Sequence, residues 1–434
     1  MFKLKKIFCI ALCVCLLPTL LLAETAQYTA TTTKALKLKK EANANARGIG
    51  SIPEGKQLSI LEIVGDHFKV DYNGRIGYVS ANYFKDFAIL EQKTSPIVLL
   101  EDEMLETVEP VQAVATNNDF NLDEGFVPRY VAKNTDTAVL YAQPDQNSNY
   151  VTTVPKYSFD LELSQICGEW AMAKYMDKVG YIKTEFLVQY DFIDPYAERF
   201  PGIVNYKYAA VFAEDTPLID QKNPKKIHKV IPAGAVIGVE APDENGLMHV
   251  AYMKRRHALV KQSNAIRLVE VKKYDEAQKG DLISVFTTFF PVHNSNADII
   301  GRVYNMYHST SMLNGKILQP GEQFSMNQEI GPYKKKTGYK KAPIASKTVS
   351  VGYGGGTCQV NTTMYNSLLQ VPVHVKHRRV HSKSGAVYVP VGFDAAVGSL
   401  SSIDMRFENT LPYPIMLQYY VSDNILTSLI YRAE

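Results

Sequence analysis

A cysteine in the C-terminal third of the sequence stands where a nucleophile is easily activated. Cys358 follows three glycines and opens a stretch in which Val360, Met364 and Leu368 recur every four residues, the spacing of a helix with one face towards a core. Glycines allow a sharp turn and close approach of a substrate. At a first helical turn, the dipole and free N–H groups stabilise a thiolate and an oxyanion. The pattern predicts a cysteine nucleophile for acyl transfer; the alternative is a small core residue.

The elements around this helix are predicted to form an α+β domain over residues 280–434. A strand-like run at 282–290 precedes an amphipathic helix that begins at Gly301 and ends at Asn314-Gly315, a helix-stop signal. A turn then leads into a strand at 319–325. The cysteine helix is followed by alternating patterns that predict strands at 371–382, 386–392 and 402–409, and two more around 422–424.

The first 23 residues have the pattern of a secretory signal. A start charged by Lys3, Lys5 and Lys6 precedes an apolar run that ends at Ala23, which fits a cleavage site. The run is short for a membrane span and contains Pro18, which favours cleavage over retention as an uncleaved anchor. Removal of these lysines brings the net charge from +3 to 0. The mature chain therefore has no overall charge that favours nucleic acid or a membrane surface.

Cleavage of the signal leaves two of the five cysteines, Cys167 and Cys358. Two cysteines in an exported protein can form one disulfide. These two fall in segments that resemble separate domains, so we expect two free thiols. Because a free thiol outside the cytoplasm is exposed to oxidation, a nucleophilic role gives a reason for Cys358. Cys167 lies in an apolar strand pattern and is expected to pack.

An internal repeat indicates tandem β modules, and strand-like runs outnumber helical ones, so a mostly β fold is predicted. Residues 65–79 match 168–182 at a constant offset of 103, and the shared positions include Gly77 with Gly180, each followed by tyrosine. Both copies resemble the C-terminal half of a bacterial SH3-like module, a small β-barrel. We assign such modules to residues 24–92 and 128–197.

A third, degenerate copy is predicted at residues 203–270, where His257-Ala258 replaces the glycine–tyrosine pair. Between the first two modules, residues 93–127 form an acidic linker, expected to be extended because its charges repel one another. The resemblance to SH3-like modules implies binding of cell-wall peptide or glycan, or simple spacing of domains.

The C-terminal third, residues 282–430, resembles the VanW family. The matching motifs, in order, are Arg302 with Asn305, LNG at 313–315, PGEQFSMN at 320–327, GP at 331–332, GY at 338–339, GGGTCQ at 354–359, TMYN at 363–366, HS at 381–382, G-x-D at 392–394 and D-x-x-F-x-N at 404–409. The sequence departs from the family pattern at Met364, where leucine is usual, and at Asn361, where serine is usual.

The resemblance implies a cell-wall enzyme. Some VanW-domain proteins are L,D-transpeptidases, which make 3-3 cross-links in peptidoglycan with the cysteine of the glycine-rich motif. By this resemblance, Cys358 is an acyl-transfer nucleophile, and its partners are peptidoglycan stem peptides and glycan.

A thiol needs a base, and His381 is the histidine that matches the family motif. In such a pair, imidazolium lowers the pKa of the thiol and later donates a proton to the leaving amine. His374 and His377 are rivals without a family match, and a structural histidine is the alternative. Asp394 or Asp404 is expected to orient His381, although either carboxylate can instead cap a turn.

The remaining site residues follow from the same motifs. The loop Gly355, Gly356 and Thr357 is expected to shape the site, with the N–H groups of Cys358 and Gln359 and the Gln359 side chain as oxyanion donors. Arg302 is the candidate clamp for a substrate carboxylate, because guanidinium binds carboxylate through two bonds. Further substrate-binding candidates are Asn327, Tyr339, Tyr365 and Ser382.

A basic cluster surrounds the predicted site and would either face solvent or steer carboxylates towards it. Its members are Lys334, Lys335, Lys336, Lys340, Lys341, Lys376, Arg378 and Arg379. No metal is expected, because the two histidines of HVKH at 374–377 have no third ligand implied by spacing. No cofactor and no nucleic acid are expected, and GYGGGTC lacks the ending of a phosphate-binding loop.

The sequence thus predicts an exported, modular bacterial enzyme of the cell wall, an L,D-transpeptidase that works by cysteine acyl transfer. One alternative is a cysteine peptidase or carboxypeptidase acting on peptidoglycan. Another is a non-catalytic protein that binds the wall or assists glycopeptide resistance. The oligomeric state and the diamino acid at the third stem position stay open.

Overall fold

The computed structural model describes residues 28–433 apart from 44, 65–66, 81–82, 90–119, 159–160, 201, 254–256, 291–296, 345–350, 382–385 and 423–424. The expected signal, Ser382 and most of the expected acidic linker lie outside the described residues. Thirty strands and three α-helices are present in the described part, so the mostly β fold predicted from the sequence is confirmed. The described helices include none that is both long and apolar enough to cross a membrane.

The first two N-terminal segments each contain seven strands in one sheet. Strands β1 to β7 are Tyr28–Thr32, Leu36–Lys39, Gly48–Ile52, Gln57–Val64, His67–Tyr72, Arg75–Ser80 and Phe84–Ile89. Strands β8 to β14 are Tyr130–Asn134, Ala138–Tyr141, Tyr150–Val154, Leu161–Cys167, Trp170–Tyr175, Lys178–Lys183 and Leu187–Phe192. The orders are β3-β2-β6-β5-β4-β1-β7 and β10-β9-β13-β12-β11-β8-β14, which are equivalent strand for strand.

The repeated glycine has the same structural role in both copies, at the crossing of the second and sixth strands. A Cβ atom on Gly77 would lie 2.7 Å from the Leu38 side chain, and one on Gly180 would lie 2.7 Å from the carbonyl oxygen of Tyr141. Only a residue without a side chain fits such a close approach. The repeat seen in the sequence therefore reflects a shared packing constraint.

Strands β15 to β21 continue this pattern. They are Tyr208–Phe212, Thr216–Asp220, Ile227–Ile231, Val236–Val239, Leu247–Ala251, His257–Lys261 and Ala265–Glu270. They form two sheets, β17-β16-β20-β19 and β18-β15-β21. Placed end to end, these sheets repeat the strand order of the first two modules, with the pairing interrupted between β19 and β18. Ala258 pairs with Asp220 where the earlier copies have tyrosine. We propose that residues 203–270 are a third, degenerate SH3-like module.

The C-terminal domain contains all three helices. Its elements are β22 (Leu282–Phe289), α1 (Ala297–Leu313), β23 (Lys316–Leu318), β24 (Gln323–Ser325), α2 (Met326–Ile330), β25 (Lys341–Pro343), β26 (Val351–Tyr353), α3 (Thr357–Leu368), β27 (His374–Arg378), β28 (Met405–Glu408), β29 (Ile415–Ser422) and β30 (Ile425–Arg432). The sheets are β22-β30-β29-β23, β24-β28-β27 and β25-β26. Helix α3 packs against α1, β22 and β30.

Two sequence expectations for this domain are wrong. Residues 386–392, expected to be a strand, form turns, and the strand expected over 371–382 is limited to β27, which ends at Arg378. Pro390 is one reason, because proline removes a donor from a strand ladder. His381 consequently lies in irregular structure beyond the strand.

The first and third modules pack directly on the C-terminal domain. Ile300 and Tyr304 of α1 join the hydrophobic core of the first module. In the third module, the N–H group of Gly238 donates to Oγ1 of Thr287 on β22, over 2.9 Å. The first and third modules therefore contact α1 and β22, which in turn pack against α3.

Candidate active site

Cys358 is the second residue of α3, as the sequence predicts, and the glycines before it are required by packing. Gly356 precedes the helix with φ of 109°, in the left-handed region that favours glycine. A Cβ atom on Gly355 would lie 2.4 Å from the carbonyl oxygen of Pro343, and one on Gly356 would lie 2.8 Å from that of Arg302. The turn therefore lies pressed between β25 and α1, and Cys358 follows it after Thr357.

Helix α3 is buried on every side except at Cys358, which is partly exposed. The apolar face expected from Val360, Met364 and Leu368 is buried, but so are the polar residues Asn361, Thr362, Thr363, Asn366 and Ser367. Buried polar groups require hydrogen-bond partners. Thr363, for example, shares a 2.7 Å hydrogen bond with Thr288 on β22. Cys358 is thus the residue at which an otherwise enclosed helix meets the surface.

Residues 393–397 run antiparallel along α3 and are bound to it at regular intervals. Asn366 donates to the carbonyl oxygen of Phe393 over 2.8 Å, and the Thr362 hydroxyl donates to the Ala395 carbonyl over 3.1 Å. The N–H of Val397 lies 3.5 Å from Sγ of Cys358. Four helical residues rise by about 6 Å, and two extended residues by about 6.6 Å. The two periods match, so each second residue of the segment meets each fourth residue of the helix.

This segment carries Asp394, which holds His381 through two hydrogen bonds. Oδ2 of Asp394 accepts from the backbone N–H of His381 over 2.8 Å and lies 2.6 Å from Nδ1 of its ring. The Asp394 side chain is 2% exposed and that of His381 is 13% exposed. With Nδ1 taken, Nε2 is the ring nitrogen left to act on Cys358, whose pKa His381 lowers. A Cys–His–Asp arrangement results, in which an acid orients the base.

The electrostatics favour a thiolate–imidazolium pair. Burial would raise the pKa of Cys358, but the hydrogen bond and charge of His381, the Val397 N–H and the charge of Arg302 together lower it. Burial would lower the pKa of His381, but Asp394 and Cys358 raise it to about 10. Burial acts to raise the pKa of Asp394, and its bonds to His381 outweigh this and lower it. Near neutral pH, the thiol proton is therefore expected on His381.

Gln359 differs from its expected role, because both its backbone and its side chain are occupied. Its N–H donates to the Gly356 carbonyl over 2.9 Å. Its side-chain oxygen accepts from Nη2 of Arg302 over 2.6 Å, and its amide nitrogen donates to Thr288 over 3.0 Å. Gln359 therefore holds Arg302 and does not supply an oxyanion donor. The N–H of Cys358 has no acceptor among the described residues and stays a candidate donor.

Asp404 and Asn327 lie in a different cluster and do not contact His381. Asp404 accepts from the Ser325 hydroxyl over 2.8 Å and from the N–H of Asn327 over 3.0 Å, so it caps the start of α2. The Asn327 side chain donates to the Ile403 carbonyl over 3.0 Å and accepts from Tyr333 over 2.8 Å. The alternative in which Asp404 orients His381 is wrong, and the expected substrate-binding residue Asn327 instead packs in this cluster.

Tyr339 and Tyr365 are each 1% exposed, so the expectation that they bind substrate is wrong. The Tyr339 hydroxyl donates to the Ile330 carbonyl over 2.5 Å. The Tyr365 ring packs under the guanidinium of Arg378, 4.3 Å from the ring centroid. The Arg378 side chain is itself only 2% exposed, so it is no part of a solvated basic face. Burial of these groups fits the tight packing around α3.

Tyr388 is a site residue that the sequence did not indicate. It lies in the turns at 386–392 and is close enough to Thr362, Cys358 and Arg302 for these groups to act on its pKa. The rival base His377 instead has Nε2 3.3 Å from the Ser402 carbonyl. The alternation of apolar residues around Tyr388 is typical of a strand, and no local signal marks its hydroxyl as part of the site. Within the described ranges, no His, Cys, Asp and Glu side chains converge as a metal ion requires.

Comparison with known proteins agrees with the domain organisation. Residues 301–431 match the family described as VanW like protein, and residues 34–85 match the bacterial SH3 domain. The uncharacterized protein YoaR of Bacillus subtilis is 30% identical over 225 residues, which cover 47% of this chain and 72% of that protein. The vancomycin B-type resistance protein VanW of Enterococcus faecalis is 30% identical over 93 residues, which cover 20% of this chain and 34% of that protein.

Among solved structures, NlpC2 from Trichomonas vaginalis is 12% identical and aligns with 57% of this chain and 93% of its own, with a TM-score of 0.15. That score is too low to support an argument about fold or function. The relationship to YoaR and the match over residues 301–431 are the findings that decide the family. A bacterial SH3 domain is followed by the domain that contains Cys358, His381 and Asp394, and the chain belongs to the family of VanW-like proteins.

Proposed function

We propose that this protein is an exported, peptidoglycan-modifying L,D-transpeptidase that forms 3-3 cross-links by cysteine acyl transfer. The observation that carries the proposal is the Cys358–His381–Asp394 arrangement, in which the Asp394 carboxylate lies 2.6 Å from the imidazole and the imidazole lowers the pKa of the thiol. A partly exposed thiolate at the start of a helix is the activated form of a cysteine nucleophile.

The first step transfers an acyl group to the enzyme. The Cys358 thiolate attacks the carbonyl carbon that joins the third residue of a donor tetrapeptide, at its L-centre, to the terminal D-Ala. The C–N bond breaks, the amine of D-Ala leaves with the proton of His381, and a thioester remains. Asp394 keeps the imidazole in the orientation that this proton transfer needs.

The second step releases the product. The side-chain amine of the third residue on an acceptor stem attacks the thioester carbon and gives a proton to the neutral His381. The C–S bond breaks, so the thiolate–imidazolium pair is restored and an amide joins the two stems. Water or a D-amino acid as the acceptor would give carboxypeptidase or exchange activity by the same route.

Two further observations support a substrate of this class. Arg302 is held by Gln359 at 2.6 Å and acts electrostatically on Cys358, which suits a clamp for the donor's terminal carboxylate. The name of the Enterococcus faecalis relative refers to vancomycin resistance, and a role in the cell wall agrees with that name. We extend this role to the SH3-like modules, which we propose hold the enzyme on peptidoglycan.

The test is mass spectrometry of tetrapeptide muropeptides incubated with the purified protein. The comparison is with Cys358→Ala and with Cys167→Ala, which removes the other thiol as a matched control. We expect 3-3 dimers with loss of D-Ala from the wild type and from Cys167→Ala, and none from Cys358→Ala.

Other products would redirect the assignment. Monomers shortened by D-Ala, dependent on Cys358, would replace the transferase with a carboxypeptidase, and cleavage within the stem would indicate an endopeptidase. Unchanged muropeptides with folded protein and acceptor present would favour a non-catalytic wall-binding protein.

A further inference from the structure

Arg378, the last residue of β27, is hydrogen-bonded to the backbone segment that carries Asp394. Its Nη1 atom donates to the carbonyl oxygens of Gly392 and Asp394, each over 2.8 Å. One guanidinium nitrogen thus fixes both ends of the short segment from which the Asp394 side chain projects. Because Asp394 orients His381, the position of this guanidinium governs the geometry of the base.

The partner of Arg378 comes from the second module. Nε of Arg378 donates to Oδ1 of Asp191 on β14 over 3.0 Å, and the Asp191 side chain is 41% exposed. The adjacent residue of β14, Tyr190, accepts at its carbonyl oxygen from the Tyr365 hydroxyl over 3.3 Å. Tyr365 is the ring on which the guanidinium lies. Two consecutive residues of the module therefore hold the arginine and the ring that supports it.

The local backbone of β14 is shaped for this contact. Its pairing with β8 shifts register between Val188 and Asp191, and Gln189 has φ of 58°, an unusual conformation for a residue with a side chain. A bulge of this kind redirects the side chains that follow it and is common beside active sites. Gly392 lies so close that a Cβ atom there would be 2.7 Å from the Gln189 nitrogen. The module and the acid-bearing segment are thus in backbone contact.

We infer that Asp191 and Arg378 are positioning residues for the reaction at Cys358, and that the second SH3-like module is part of the active site. The inference rests on the proposed function in that Cys358 is the nucleophile. Without the Asp191 carboxylate, the buried guanidinium would have Asp394 as its remaining charged partner and would compete with His381 for it. His381 would then lose the orientation that keeps the thiol ionised.

The test follows the thiolate directly. The rate of Cys358 alkylation by iodoacetamide is measured from pH 5 to pH 10 in the full protein, with Cys167→Ser as the background that removes the other thiol. Asp191→Asn is compared with Glu162→Gln, which removes a carboxylate of similar exposure from a surface ion pair with Lys174 in the same module. Asp191→Glu restores the charge.

We expect Asp191→Asn to lower the alkylation rate at pH 7 about tenfold and to shift the increase of the rate with pH to higher pH. Tenfold is the lower end of the activity loss that follows removal of a residue supporting a functional group. Asp191→Glu should recover most of the rate, and Glu162→Gln should match the background protein. An Asp191→Asn profile identical to that of Glu162→Gln would overturn the inference.

Muropeptide products from the same variants separate this inference from the proposed function. A shifted alkylation profile in a protein that forms no dimers keeps the link between Asp191 and the site, while the transferase proposal is lost. Loss of dimers in Asp191→Asn with unchanged alkylation would also overturn the inference, because Asp191 would then act on the substrate and not on the thiol.

Discussion

The hydroxyl of Thr362 both donates to the carbonyl oxygen and accepts from the N–H group of Ala395, over 3.1 and 3.0 Å. One buried side chain on α3 thus bonds both backbone polar groups of the residue next to Asp394. The position of Asp394 therefore depends on the helix that carries Cys358.

Thr362→Val keeps the shape of the side chain and removes these hydrogen bonds. The buried N–H of Ala395 would lose its acceptor, while its carbonyl oxygen would keep the Asn361 amide as a donor. An unsatisfied buried donor costs about 1–3 kcal/mol of unfolding free energy. We expect lower stability in urea unfolding together with slower alkylation of Cys358. Thr33→Val, at an exposed threonine of the first module, is the control and should stay within about 0.5 kcal/mol. Equal stabilities of the two variants would contradict the role of Thr362.

His381→Ala should change the pH dependence of Cys358. In the wild type, the lowered pKa of Cys358 moves thiolate formation to lower pH, so the alkylation rate should level off at lower pH than for an ordinary thiol and fall as acid protonates the thiolate. In His381→Ala, burial still raises the pKa of Cys358, and the largest effect that lowers it, that of His381, is gone. An ordinary thiol of pKa about 8.5 is roughly 3% ionised at pH 7, so we expect a loss of roughly thirtyfold.

The measurement is the iodoacetamide rate between pH 5 and pH 10 on the Cys167→Ser background. In His381→Ala the rate should climb with pH throughout the range in which the wild type is flat. Flat profiles in both proteins would show that His381 does not ionise the thiol.

Gly355→Ala tests the packing of the glycine turn. A Cβ atom there would lie 2.4 Å from the Pro343 carbonyl oxygen, whereas at Gly398 the nearest atom, in Ile403, is 3.5 Å away. Neither glycine has the left-handed φ, so the pair isolates contact from backbone strain. Overpacking should destabilise Gly355→Ala by about 3 kcal/mol and change Gly398→Ala by less than about 0.5 kcal/mol. Thermal or urea unfolding compares them, and a tolerated Gly355→Ala would refute the packing argument.

Arg302→Lys tests the proposed carboxylate clamp. Lysine keeps the charge but loses the planar fork, of which one nitrogen is held by Gln359. We expect KM for a donor tetrapeptide to rise about tenfold, as for loss of one charge-assisted hydrogen bond, with a smaller effect on kcat. Lys335→Gln, an exposed member of the basic cluster, should leave KM nearly unchanged at physiological salt. If both variants gave the same KM, Arg302 would not be the clamp.

The parts of the fold that the sequence predicted depend on local signals. Three glycines before a four-residue apolar period were enough to indicate a cysteine at a helix start, and that placement is observed. The internal repeat was visible because Gly77 and Gly180 occupy equivalent positions in two modules. At both positions a close approach of neighbouring strands requires glycine. The mostly β fold and the VanW and SH3 domains were recognised on the same grounds.

The choice between Asp394 and Asp404 could not be made from the sequence. Both carboxylates belong to family motifs, and only their tertiary partners distinguish them. Asp394 faces His381 because Asn366 and Thr362 bind the segment around it, whereas Asp404 caps α2. Tyr365 likewise gave no sign that it is enclosed, since α3 is surrounded on all sides by partners distant in the chain. Such burial is set by packing and not by the local pattern.

The match between α3 and residues 393–397 has a consequence for how this site can vary among relatives. The segment is bound through backbone atoms of Phe393 and Ala395, and the N–H of Val397 meets the thiol, so substitutions there leave the hydrogen-bonding groups in place. Insertion or deletion of one residue would displace every later atom by about 3.3 Å and reverse the alternation of faces. Relatives that retain the chemistry should therefore keep Asp394 and the length of this segment, but differ in residue type at its other positions.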